Sequence, residues 1–199
     1  MSKKITIIVE GATEKVFMPT LRAYLGKRLP GKMPRLDPFP YDGPISQRKG
    51  AKLRDDVKRL LCGKDRSDAV IALSDVYPEF SDAEDAKNKM RAWVGDEARF
   101  SPHVALYEFE AWLLPFWKTI QDLAGSERCV PGSHPEHVNH GRPPSRHLQE
   151  VFLAGRKGKA YSKTRDAKRI LDGQDLAVAA KACPELQKFL DAIVCLCED

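Results

Sequence analysis

Three short apolar runs limit what this chain can fold into: "ITIIV" at residues 5–9, "AVIAL" at 69–73 and "HVALY" from His103. Each is continuous and rich in aliphatic or β-branched residues. That is the pattern of a strand buried on both faces, which helix-covered parallel sheets produce. Each run also leads into acid: Glu10 after the first, Asp75 after the second, Glu108 and Glu110 after the third. Apolar residues at helical spacing fill the intervals, with Val16, Phe17, Leu21, Tyr24 and Leu25 in the first and Leu53, Val57, Leu60 and Leu61 in the second. The order strand, helix, helix, strand, helix, strand, helix favours an α/β sheet with right-handed crossovers.

Local signals refine this outline. Thr13 is expected to cap the first helix, and Pro19 to interrupt it near Met18, since an interior proline costs about 3 kcal/mol. Residues 31–43 hold several prolines and read as a loop. Gly63 reads as a left-handed helix cap, and Ser81 with Glu84 as a capping box that opens a helix to about Val94. Residues 125–146 read as a lid or connector. The remainder is expected to be helical, and the tail stripe of Leu186, Phe189, Leu190, Ile193, Val194 and Cys197 is assigned to core packing.

The acids form the chemical signal. In an open α/β sheet the carboxyl ends of parallel strands share one edge, and ligands bind in the crevice there. Carboxylates brought together repel and raise one another's pKa, so such a cluster calls for a cation. Mg²⁺ suits it, because this ion is held by one or two carboxylates together with waters and phosphates and activates water for attack at phosphorus. Any single acid at a strand end is as readily a solvated loop residue or a cap, and Glu14 as readily a complement to a helix dipole.

Composition excludes other classes. A chain of 199 residues suits one ordinary domain, and a net charge of +5 permits a polyanionic partner without establishing one. Five scattered cysteines (62, 129, 183, 195 and 197) behind an MSKK start point to a reducing cytoplasm, with the cysteines mostly as packing residues. No apolar run approaches the ~20 residues needed to cross a bilayer. P-loop, dinucleotide and serine-hydrolase motifs are missing. The stretch "CVPGSHPEHVNH" offers Cys129, His134, His137 and His140 to zinc, but the spacing lacks paired knuckles and Pro135 breaks any helix.

"VEGATEKVF" resembles the opening motif of the Toprim superfamily, and "LSDVYPEF" its second acidic motif. The combination of these with "EFEAWLL", and with "GRPPSRHLQEVF", "YSKTRDAKRIL" and "LAVAAKACPELQKFLDAI", is similar to a bacterial Toprim-like family labelled a domain of unknown function. The likeness covers nearly the whole chain. It implies a Toprim-like (Rossmann-like), mainly parallel sheet flanked by helices, with residues 1–124 as core and 125–199 as a loop and helical extension on the same domain. It implies Mg²⁺ or Mn²⁺ held by Glu10 and Asp75. The standard D-x-D pattern here reads Asp75-Val76-Tyr77, so Tyr77 stands where a second acid is expected. Tyr77 and Glu108 are carried as further metal-site candidates, and Glu14 and Glu110 as catalytic ones beside Glu10 and Asp75; Glu110 is preferred to Glu108 as the replacement acid.

Charge is polarised along the chain. Residues 142–169 hold nine Lys or Arg against two acids, and residues 75–110 hold nine acids against four bases. Within the basic stretch, Tyr161, Lys163, Arg165 and Lys168 lie in a segment that the resemblance covers and are the candidates for nucleic-acid binding. Two functions stay open: a metal-dependent nuclease, which the family resemblance associates with an AAA-type ATPase in bacterial defence, and a non-catalytic binding subunit of such a complex. DNA against RNA, and monomer against homodimer, are also open.

Overall fold

In strand β1 (Lys4–Val9), Ile5, Ile7 and Val9 face one side of the sheet and Thr6 and Ile8 the other. Both sides are covered by helices, which is why the run is continuously apolar. Strand β3 (Ala69–Asp75) does the same, with Ile71 and Leu73 on the first face and Val70 and Ala72 on the second. The computed structural model describes residues 2–138, 142–156 and 158–198; His140 and Lys157 lie outside them.

Four parallel strands lie in the order β2-β1-β3-β4, where β2 is Arg35–Pro40 and β4 is Phe100–Ala105. The connection from β1 to β2, through α1 (Ala12–Arg28), moves towards one edge of the sheet. The connections into β3 and β4, through α2 (Gly50–Cys62) and α3 (Ala83–Val94), move towards the other. Right-handed crossovers of opposite direction must cover opposite faces. Accordingly, Phe17 and Leu21 of α1 join one core, and Leu53 and Val57 of α2 with Ala86 and Met90 of α3 join the other. The direction reverses between β1 and β3, and a crevice opens at such a switch point beyond the strand ends.

After β4 the chain continues through a 3₁₀ helix (Phe109–Phe116), α4 (Trp117–Ala124), α5 (Pro144–Ala154), α6 (Lys163–Leu171), α7 (Leu176–Ala182) and α8 (Pro184–Glu198). Leu148, Ile170, Leu176 and Phe189 from these helices share the core of α1 and the first sheet face. The segment 125–138 is not loosely attached. Buried Glu136 accepts hydrogen bonds from Trp112 Nε1 (3.0 Å), Glu185 N (3.0 Å) and Leu186 N (3.3 Å), and so caps α8 from 49 residues away.

Several local expectations are corrected. Helix α1 runs unbroken through Pro19, because Phe17, Met18, Leu21 and Leu25 around it are all buried and their packing outweighs one missing hydrogen bond. Its N-cap is Gly11, not Thr13. Residues 31–43 are not all loop: β2 lies within them, and its prolines are tolerated because β2 is an edge strand. Gly63 is extended (φ −71°, ψ 176°), not left-handed; its hydrogens leave room for Arg59 O, which a Cβ would meet at 2.5 Å. The cap of α3 is Asp82, accepting from Asp85 N at 2.8 Å, while Asp85 accepts from Ser81 N, one position later than expected. Cys62, Cys129 and Cys195 are exposed, and only Cys183 of the five is fully buried. No helix among the described residues is long and apolar enough to cross a membrane.

Candidate active site

Parallel pairing of β1 with β3 aligns Val9 with Leu73, so Glu10 emerges beside Ser74 and Asp75. Glu10 Oε1 accepts hydrogen bonds from the Ser74 hydroxyl and from Ile45 N at 2.9 Å. Asp75 Oδ1 accepts from Phe109 N at 2.8 Å, which ties the end of β3 to the start of the 3₁₀ helix. The turn into that helix passes through Tyr107, at φ 67° the one non-glycine residue with positive φ among those described. A bulky residue there is strained by about 1–3 kcal/mol. The turn delivers Glu110, only 1 % exposed, to the same side as Asp75. Glu14 arrives from the first turn of α1, also buried, and Gly11 makes room for it: a Cβ on Gly11 would lie 2.9 Å from Glu14 Oε2.

These residues line one cleft of about 410 Å³, whose walls include Glu10, Glu14, Asp75, Tyr77, Glu110 and Lys163. Lys163 enters from the first turn of α6, its Nζ 3.3 Å from each Glu110 oxygen and 4.0 Å from Glu108. Burial pushes the Glu10 carboxyl up from 4.5 to about 7, against the pull of the Ser74 and Ile45 hydrogen bonds and with the Glu14 charge adding to it. Burial likewise raises Glu14 and Glu110. Asp75 is raised well above its ordinary value by burial and then by Glu10, Glu14 and Glu110. Burial works against the Lys163 ammonium, but Glu110 and Glu108 outweigh it and its pKa rises. Lys163 in turn draws down Glu14, Asp75 and Glu110.

The other candidates divide. Tyr77 lines the cleft but is 53 % exposed, and its position supplies a phenol where a carboxylate was expected. Glu108 does not line the cleft; its Oε2 accepts from Ser145 N at 3.0 Å and caps α5. Tyr161 packs against Phe152 in the core and is not an open surface ring. Lys163 faces acids, not open solvent alone. Arg165 is paired with buried Asp166 at 2.7 Å, and Lys168 is exposed. Among the described residues, Cys129, His134 and His137 form no metal cluster. Sequence reasoning missed Ser74 and the backbone of Ile45 as partners of Glu10. Ser74 had a signal, its place beside Asp75; Ile45 had none.

Whether a divalent ion suits the cleft rests on its donors. They are carboxylate oxygens, the set that Mg²⁺ and Mn²⁺ take. Buried Glu14 Oε2 has no hydrogen-bond partner, and Glu110 Oε1 has no hydrogen bond beyond its charge contact with Lys163. Among the described residues no group of three or more His, Cys, Asp or Glu side chains is placed to hold a metal ion between them, so the cleft offers an ion at most a pair of carboxylates. Mg²⁺ does not need more, since it keeps several waters and takes only one or two protein carboxylates. The residues fit a partly hydrated ion.

Fold and site together define an α/β protein with an acidic cleft at the switch point of an all-parallel sheet. The chain belongs to the family described as "Domain of unknown function (DUF4276)", whose model matches residues 9–194. Among solved structures it is similar to the C-terminal region of the Burkholderia pseudomallei OLD protein, with a TM-score of 0.53 and 14 % identity over 98 % of this chain and 99 % of that one. That likeness speaks to the fold. No curated protein matches the chain.

Proposed function

We propose that the cleft binds Mg²⁺ or Mn²⁺ and hydrolyses phosphodiester bonds in DNA or RNA. One observation carries this reading: four acids from four separate segments, Glu10, Glu14, Asp75 and Glu110, converge on one cleft with a single lysine among them. Glu10 and Asp75, at the ends of adjacent strands, are the pair to hold the ion. A bound ion supplies water activation and charge stabilisation at phosphorus. Glu10 is held in place by Ser74 and Ile45, and Asp75 by Phe109 N, so neither has to reorganise on binding. Glu14, with a free buried oxygen, is placed to accept a proton from water. Glu110 holds Lys163 in the cleft, where the ammonium can neutralise phosphate charge.

The AAA-type ATPase partner and the role in bacterial defence belong to this proposal, so the assay includes the genomic neighbours. Cleavage is measured with Mg²⁺ or Mn²⁺ for wild type, Glu10→Ala and Asp75→Ala. The expected result is metal-dependent cleavage by wild type, reduced at least about 100-fold in each variant. Equal cleavage by all three contradicts the mechanism.

A second reading has its own observation: Lys163 already neutralises Glu110, and Tyr77 stands where a second acid would complete the motif. On that reading the protein is a non-catalytic binding subunit. It then shows no Mn²⁺ affinity that depends on Glu10 or Asp75, yet still pairs with its ATPase.

A further inference from the structure

A second groove meets the acidic cleft. Its walls include Arg142, Arg146, Gln149, Glu150, Tyr161 and Lys163, and Lys163 also lines the acidic cleft, so the two adjoin at that residue. Three other clefts flanked by basic residues, one with Arg128 and Arg156, one with Lys159, Arg165 and Arg169 and one with Lys4, Arg59 and Lys64, share no lining residue with the acidic cleft.

Charge and anchoring distinguish this groove. Arg142, Arg146 and Arg128 converge on one carboxylate, Glu150, at 3.3, 3.7 and 3.9 Å. One negative charge among three guanidiniums leaves two unmatched, and the Arg142 and Arg146 side chains are 62 % and 64 % exposed. By contrast, Arg165 and Arg169 both pair with fully buried Asp166, which also accepts from Ser162 N, so they hold the start of α6. At the base of the groove the Tyr161 ring is only 9 % exposed, and its hydroxyl is buried on the side of Glu110, where burial and the Glu110 charge raise its pKa. Glu108 caps α5 while Glu110, two residues on, lines the cleft, so groove and acids are fixed on one short segment.

We propose that this groove is the track for a phosphodiester backbone, with Arg142 and Arg146 gripping phosphates that flank the one held in the acidic cleft. Guanidiniums suit the role because their forked donors match phosphate oxygens, and such contacts position a strand without reading its sequence. The inference rests on the nuclease reading for the direction of the track, and it relocates the phosphate contacts from α6 to Arg142, just before α5, and Arg146 in its first turn.

The test measures binding of labelled duplex and single-stranded oligonucleotides without metal, across a salt series. Arg142→Gln/Arg146→Gln is expected to lower the log–log salt slope for duplex by about 1.8, about 0.9 per lost contact. Affinity at about 0.1 M salt falls roughly 60-fold on the same scaling. KM for cleavage rises, Mn²⁺ affinity is unchanged, and Arg142→Lys/Arg146→Lys restores most of the slope. Lys159→Ala/Lys168→Ala, an equal charge loss elsewhere on the lobe, leaves the slope unchanged. A wild-type slope in the glutamine variant, or a fall only in the Lys159/Lys168 variant, overturns the groove; if Glu10→Ala still abolishes cleavage, the nuclease reading survives. A fallen slope with cleavage indifferent to Glu10 keeps the groove and removes the hydrolytic reading.

Discussion

At the scale of single residues, Glu10 is the side chain with the most legible consequence. Its folded pKa, about 7, lies above the ordinary 4.5, so the folded chain binds this proton more tightly than the unfolded one. Stability therefore falls as pH rises from about 4.5 to about 7 and levels off above, a contribution on the order of 3 kcal/mol. Glu10→Gln removes this contribution. The variant is expected to be more stable than wild type above pH 7, with a shallower pH profile that keeps some slope from Glu14, Asp75 and Glu110. Urea midpoints at a series of pH values measure this, and parallel profiles would contradict it. Glu10 and Asp75 were readable in the sequence because a buried strand has a definite end, and a residue at that end lies at the sheet edge. Lys163 was readable as a basic residue but not as the partner of Glu110, because 53 residues and three helix junctions separate them.

At the scale of elements, β1 and β3 were legible because burial on both faces leaves a pattern in a few adjacent residues, and the start of α3 was legible to within one residue, its capping pair being Asp82 and Asp85 and not Ser81 and Glu84. Strand β2 was not, since an edge strand with two prolines carries loop chemistry and is defined only by its pairing with β1. Helix α1 was misread at Pro19 for a related reason: its buried face, not local propensity, decides its continuity. Residues 125–146 read as a lid or connector, yet Glu136 fastens the part up to residue 138 to α8. Glu136→Ala leaves Trp112 Nε1, Glu185 N and Leu186 N without their acceptor. It should destabilise the fold by on the order of 3 kcal/mol, with Glu136→Gln closer to wild type. Chemical denaturation reads both, and a loss below about 0.5 kcal/mol in the alanine variant would show that the cap is dispensable.

At the scale of the whole molecule, topology accounts for the site. The order β2-β1-β3-β4 places its reversal between β1 and β3, and the two strongest acid signals in the sequence, Glu10 and Asp75, sit at the ends of those two strands. The helical segment after β4 closes the cleft with Lys163 and sets the arginine groove beside it, so the acidic and basic halves of the sequence meet in space. Charge polarity along the sequence did not show which cations face the acids, because Glu108, Glu150 and Asp166 decide which are engaged. If the converging acids hold a divalent ion, anomalous diffraction from crystals soaked in Mn²⁺ will locate it. The expected result is a Mn²⁺ peak bound by Glu10 and Asp75, completed by waters and lost in Asp75→Asn. A cleft without manganese, with Lys163 still paired to Glu110 and the metal elsewhere on the surface, would contradict it.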